Sequence, residues 1–221
     1  MSPEDRPPLR SFKPRRRKVG AAAAARYAEL APTWVLAEEG SPLDLAAVFG
    51  RDAPCELEIG IGSGEALVAF ARAAPQVNVI GIDVHRPGLV RAVLAAADEP
   101  LPNVRLVDGD VLVFLRRLPA ESLDGIRVWF PDPWPKVRQR NRRLIRDDVV
   151  AELVDRLRPG GHLALATDWA DYAAQMERVC RAHPRLRGGR VPRPAERPVT
   201  RFEERGRAAQ RDIVDLRYVK G

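Results

Sequence analysis

Five short apolar runs, at 55–60, 77–83, 103–107, 124–130 and 161–167, alternate with five stretches of helical period, at 63–73, 86–97, 110–118, 142–158 and 169–182. Each run is aliphatic or β-branched and bounded by Gly, Pro or Asp, the pattern of a buried strand. Repeated strand–helix alternation leaves few folds open, because parallel strands need crossovers and the crossover helices cover both faces of the sheet. The sequence therefore predicts an α/β fold with a doubly wound, mainly parallel sheet and a ligand crevice at the C-terminal ends of its strands. A last apolar alternation, Ile213 to Val219, has no room for a crossover and is expected to add an antiparallel strand. A further helix is expected over 21–30. Residues 1–20, polar, proline-bearing and basic, are expected to form a flexible arm that orders on a polyanion. With 221 residues, 21–221 is read as one domain.

No apolar run approaches the length of a membrane span, and the basic N-terminus lacks a signal-peptide core, so a cytoplasmic protein without membrane contact is expected. Cys55 and Cys180 stand without ligand spacing and read as reduced thiols, and the three histidines are scattered singly, so no metal site is expected. The net charge of +7 is clustered. Lys13, Arg15, Arg16, Arg17 and Lys18 crowd the arm, Lys136, Arg138, Arg140, Arg142, Arg143 and Arg146 follow 130–135, and Arg201, Arg205, Arg207 and Arg211 lie near the end. Such grouping points to a nucleic-acid partner. Nothing in the sequence decides between a monomer and a homodimer.

Between the first strand and the first helix runs Leu57-Glu58-Ile59-Gly60-Ile61-Gly62-Ser63-Gly64-Glu65. Alternate glycines let the backbone turn tightly and approach a ligand. Nicotinamide, flavin and S-adenosylmethionine sites all use such a loop, and the acids separate them. A pyrophosphate seated on the helix N-terminus would be repelled by Glu58 and Glu65. A sulfonium and an ammonium would be attracted, which favours S-adenosylmethionine. Asp83 closes the second strand within reach of ribose hydroxyls, and Asp110 follows the third where it can accept from an adenine amino group. Each is equally suited to a helix N-cap on its own; their order behind the glycine loop favours the cofactor.

The run Phe130-Pro131-Asp132-Pro133-Trp134-Pro135-Lys136 follows a strand, and its three prolines forbid both helix and central strand. A stiff, solvent-facing loop there presents a carboxylate, a flat aromatic and a cation at the crevice. With Glu58–Glu65, Gly81–Gly88, Ala166-Thr167-Asp168-Trp169 and Arg197-Pro198-Val199-Thr200-Arg201-Phe202-Glu203-Glu204-Arg205-Gly206, it resembles the bacterial tRNA (guanine-N7-)-methyltransferase family, a class I S-adenosylmethionine-dependent fold. The likeness runs from about Arg10 to the C-terminus. It implies methyl transfer from S-adenosylmethionine to guanine N7 of tRNA, in the variable loop. It also implies that Glu58, Asp83, Asp110 and Asp132 contact the cofactor along with the loop glycines Gly60, Gly62 and Gly64, that Asp132 is the catalytic acid, and that Lys136, Asp168, Thr200, Arg201, Phe202 and Glu203 contact the substrate. Asp83 stands where the family commonly has Glu, and Ala209–Val214 replaces a glycine- and histidine-bearing stretch.

The residue types agree with that chemistry. Guanine N7 has an in-plane lone pair and needs no deprotonation, so orientation and a carboxylate facing the developing cation suffice. Asp168 or Glu203 would hold the guanine's N1–H and amino edge, Trp134, Trp169 and Phe202 are the stacking candidates, and Lys136 with the arginines after it would bind phosphates. An exocyclic amino-methyltransferase would carry Asn/Asp-Pro-Pro-aromatic, an order that Pro131-Asp132-Pro133-Trp134 breaks. A non-catalytic RNA-binding protein is disfavoured by the intact acids, and a nicotinamide dehydrogenase by their charge.

Overall fold

The computed structural model describes residues 19–195 and 197–221; the basic arm, apart from Val19 and Gly20, lies outside them. In chain order come α1 (Ala21–Trp34), β1 (Val35–Leu36), α2 (Leu45–Phe49), β2 (Cys55–Ile59), α3 (Glu65–Ala73), β3 (Asn78–Asp83), α4 (Arg86–Asp98), β4 (Val104–Asp108), α5 (Val111–Phe114) and β5 (Leu123–Trp129). Then follow α6 (Asp147–Arg156), β6 (Leu157–Thr167), α7 (Ala170–Ala182), β7 (Leu186–Val191), α8 (Arg201–Ala208) and β8 (Val214–Lys220). They build one eight-stranded sheet in the order β1-β4-β3-β2-β5-β6-β8-β7. The strands from β1 to β6 pair in parallel. The β8 strand is antiparallel to both neighbours, as the 213–219 alternation predicts.

Two apolar layers sandwich the sheet. On one face α5, α6 and α7 bury Phe114, Val150, Leu153, Tyr172 and Met176 against Leu57, Ile126 and Leu163. On the other, α1, α3 and α4 bury Tyr27, Leu67, Leu89 and Val93 against Val79, Val104 and Leu106. Strand reversal between β2 and β5 opens the crevice at the C-terminal ends of those two strands, the switch point of a doubly wound sheet.

Several elements depart from the sequence expectation, among them α6, β7, α2 and α8. The helix expected from 142 begins at Asp147, and residues 137–142 form a 3-10 turn instead. The cause is Arg143, which is 1% exposed and whose guanidinium donates to Pro133 O, Gln175 Oε1 and Asp171 Oδ2. Its extended backbone (ψ 137°) aims the side chain inward and stops the helix from starting earlier. Strand β7 reads poorly because four of the six residues of Leu-Arg-Gly-Gly-Arg-Val are glycine or arginine, yet Gly188 is required where β8 passes: a Cβ there would lie 2.1 Å from Arg217 O. Helix α2 is five residues long, held by the Asp44 cap and ended by Gly50 in the left-handed region. Helix α8 was hidden inside the Thr200–Glu203 run, which is also an N-cap: Thr200 Oγ1 accepts from Glu203 N at 3.2 Å.

Candidate active site

The crevice holds a cavity of about 510 Å3, and four of the sequence-predicted acids, Glu58, Asp83, Asp110 and Asp132, line it. The loop Gly60–Ser63 forms its floor between β2 and α3. Gly60 and Gly62 adopt left-handed φ angles of 81° and 59°, which a side chain would strain, and a Cβ on Gly60 would meet nothing within 4 Å. Backbone thus faces open space where a ligand can approach. Gly64 has a different task. It does not line the cavity, and its Cβ would sit 2.4 Å from that of Ala92 on α4. Sequence reasoning assigned Gly64 to the cofactor; the structure places it at a helix–helix contact. It also reveals Gly88, where a Cβ would lie 1.7 Å from Gly62 O, so the start of α4 presses directly on the glycine loop.

The acids are set by backbone. Asp83 ends β3, and its two oxygens accept from Gly62 N and His85 N, both at 2.7 Å. Burial raises its carboxyl above the usual range although both N–H groups oppose that shift. Asp110 caps α5 by accepting from Leu112 N at 3.0 Å, and its own N–H donates to Glu38. Capping and cavity lining therefore coexist in one side chain. Glu58, on β2, is 3% exposed and is also pushed up, by burial first, with Arg127 pulling it down and Glu56 and Asp83 pushing further up.

Asp132 is delivered by strain. Phe130 N continues the ladder to Ala166 O at 2.8 Å, then Phe130 itself turns with φ 53°. Trp134 turns again with φ 42°. Left-handed φ is costly for a bulky residue and persists only where the surroundings over-determine it. Here Trp134 is buried at 2% exposure beneath Arg142, and Arg143 holds Pro133 O from inside. The loop faces solvent only in part. Trp134 is a core anchor, and its burial removes it from the stacking candidates.

A strap over residues 197–208, ending in α8, crosses the cavity mouth. Thr200, Arg201 and Phe202 line it together with Pro198, Val199 and Arg205. Phe202 is 40% exposed, and its ring lies 3.9 Å from a Cβ on Gly62, above the glycine loop. Arg201 reaches Glu65 at 2.9 Å across the mouth. Glu203 points the other way. It is 0% exposed and takes hydrogen bonds from Arg197 at 2.6 Å, Arg193 at 2.9 Å and Arg207 at 2.5 Å. Burial pushes its carboxyl up, but the hydrogen bonds and charges of Arg193 and Arg197 outweigh that and hold it below its ordinary value. Arg197 continues to Asp215 on β8 at 2.8 Å and lies over the Phe130 ring. A carboxylate so engaged has no free edge for a guanine, so the contact expected of Glu203 is replaced by a structural one.

The remaining expectations divide. Asp168 lies outside the cavity lining and pairs with Arg211 at 2.8 Å, and Arg211 also lies over Trp169, which packs against the core. Lys136 is exposed outside the cavity, beside Arg138. Of the arginines after it, Arg143 is buried, which removes it from the phosphate candidates, while Arg140 pairs with Asp171 and Arg146 with Asp148 at the surface. Arg91 of α4 and Arg205 of α8 reach the cavity wall, where neither was foreseen. Only position on a helix face, invisible in a motif, would have singled out Arg91. Among the described residues no group of three or more His, Cys, Asp or Glu is placed to hold a metal ion, and no helix is long and apolar enough to cross a membrane.

Solved structures of similar shape show the fold. The aminoglycoside resistance methyltransferase NpmB1 superposes with a TM-score of 0.55 at 18% identity, over 80% of this chain and 92% of that one. The antibiotic-resistance methyltransferase Kmr gives 0.56 at 20%, over 80% and 91%. A family described as putative methyltransferase matches residues 52–216. Sequence relatives are much nearer. The tRNA (guanine-N(7)-)-methyltransferase of Streptomyces avermitilis is 44% identical over 95% of this chain and 74% of its own length. The protein of the same name from Nitrosomonas eutropha is 42% identical over 97% of both. At that identity over nearly the whole of its length, and with the family match over 52–216, this chain belongs to the tRNA (guanine-N(7)-)-methyltransferase family.

Proposed function

We propose that this protein methylates N7 of a guanine in the variable loop of tRNA, with S-adenosylmethionine as methyl donor. One observation carries the reading: four carboxylates from four different strand ends converge on a single cavity whose mouth is closed by the strap. The cavity fits the donor by its chemistry. Backbone at Gly60 faces open space, and Glu58 Oε2 is buried without a hydrogen-bond partner among the described residues. Acids suit a ligand that carries an ammonium and a sulfonium and no phosphate. When bound, S-adenosylmethionine supplies an electrophilic methyl group.

The chain's own residues do the rest. Glu58 and Asp132 face the cationic end, Asp83 the ribose and Asp110 the adenine. Asp132 stabilises the positive charge that appears on the purine as N7 forms its new bond. Phe202 offers a half-exposed ring on which a splayed guanine stacks. Holding N7 in line with the methyl group is the main contribution, since no proton has to be removed beforehand. Lys136 and Arg138 meet phosphates and position the RNA without reading its sequence. A cytoplasmic location, where tRNA is met, belongs to this proposal.

The test is incubation of tRNA from cells lacking guanine-N7 methylation with the protein and labelled S-adenosylmethionine, followed by identification of the labelled base. Label in 7-methylguanine, reduced about 10²- to 10³-fold in kcat by Asp132→Ala, is the expected result. Label in an exocyclic amino group, or none, refutes the proposal; full activity of the variant removes Asp132 from its role.

A further inference from the structure

Beneath Glu58 lies a buried charge ladder that the methyl-transfer reading does not use. Arg127 is the cross-strand partner of Glu58 between β2 and β5 and is 3% exposed. Its Nη2 is 3.4 Å from Glu58 Oε2, and its Nη1 is 3.4 Å from Glu56 Oε2, two residues back on β2. Among the described residues none of its three guanidinium nitrogens has a hydrogen-bond partner. Its plane is instead held by the Phe70 ring of α3, 3.6 Å away, and by the two flanking carboxylates. Gly125 makes the arrangement possible: a Cβ there would strike His162 at 2.5 Å and crowd Glu56 at 3.0 Å.

The cation is thus shared evenly between two acids, only one of which lines the cofactor cavity. On the far side, Arg127 and Glu56 border a second cavity of about 140 Å3 with His162, Arg197, Asp215 and Arg217. We infer that Arg127 is a positioning residue for Glu58: it fixes the direction of that carboxylate and supplies the charge that keeps so deeply buried an acid ionised toward the cofactor. Glu56 is the counterweight that draws half of the cation away. This assignment rests on the proposed donor site.

The groups acting on Glu58 have known signs. Burial, Glu56 on its own strand and Asp83 on β3 favour the neutral form, and Arg127 on β5 favours the charged one. His162 on β6 and Arg217 on β8 border the second cavity with Glu56 and Arg127. Removing the cation and removing the counterweight must therefore move the protonation of Glu58 in opposite directions.

The experiment is calorimetric titration of the whole protein with S-adenosylhomocysteine between pH 5 and 9. In the wild type, affinity falls on the acid side as the buried acids of the cavity, Glu58 and Asp83, are protonated, and Arg127 adjoins only the first. Arg127→Met raises the midpoint of that loss by about one pH unit or more. Glu56→Gln lowers the midpoint, and Arg127→Lys, which keeps the charge, leaves it near the wild-type value. Midpoints that stay in place, or that move in the same direction, overturn the inference. Should Arg127→Met unfold by circular dichroism, the direction of the Glu56→Gln shift decides alone. A wild type that binds no S-adenosylhomocysteine at any pH overturns the donor site itself, and this assignment with it; normal binding with unmoved midpoints overturns only the role of Arg127.

Discussion

Glutamine at position 203 would keep the shape of the buried hub beneath the strap and remove its charge. Glu203 holds three arginines of unequal burial. Arg207 is 54% exposed and Arg193 29%, so each of those pairs contributes about 1 kcal/mol or less. Arg197 is 2% exposed, and a charge-assisted bond there is worth about 1.5–3 kcal/mol. Arg197 keeps Asp215, so the loss sums to about 2–4 kcal/mol and falls almost wholly on the strap. Helix α8 has eight residues and buries only Glu203 and Gly206, too little to hold it without the hub. Amide exchange over 201–208 should accelerate about thirtyfold or more in Glu203→Gln, while the sheet retains its protection and the Tm falls by only a few degrees. Methyl transfer should drop through kcat and KM together, as the mouth loses Thr200, Arg201 and Phe202 at once. Unchanged exchange over 201–208 combined with a raised KM for tRNA would refute the hub and restore Glu203 as a direct contact. The pH sign follows from its lowered carboxyl: this stability is complete above the usual carboxylate range and is lost as pH falls through and below that range.

Gly88→Ala drives a methyl into Gly62 O, which no side-chain rotation relieves, and should cost about 3 kcal/mol or more and weaken S-adenosylhomocysteine binding. Gly60→Ala meets open space and should cost only the strain of its φ angle, about 1–2 kcal/mol; equal melting temperatures for the two variants would contradict this reading of the loop. Burial pushes the thiols of Cys55 and Cys180 up to about 12. Both should ignore a disulfide reagent at pH 8 in the native protein and react only in denaturant, and rapid native reaction would show that the core breathes.

Much of this architecture is legible in the residues because it is carried by period. Strands β2 to β6 and the helices between them announce themselves by alternation of apolar runs, and their expected bounds fall within a few residues of those observed, α6 and the start of β6 excepted. What escaped is decided by tertiary partners. Arg143 delays α6 because its guanidinium finds three acceptors inside, which nothing in the Arg-rich run distinguishes from its exposed neighbours. Trp134 and Phe202 look alike as stacking aromatics, and only packing separates the buried anchor from the exposed ring. Glu58, Asp83, Asp110 and Asp132 reach the cavity because strand ends place them there, a consequence of topology that motif order already encodes. Glu203 sits in an equally distinctive motif, yet a motif records that a residue matters and not which way its side chain points.

The position of β8 has a consequence for how the enzyme is made. Among the described strands it comes last in order, yet it lies between β6 and β7, and its Asp215 anchors the Arg197 that fixes the strap. Until residues 214–220 have left the ribosome, β6 and β7 have no common partner and the mouth of the cavity has no fixed rim. A nascent chain can therefore complete its glycine loop, carried by β2 and α3, well before the rim of its cavity has the strand that anchors it.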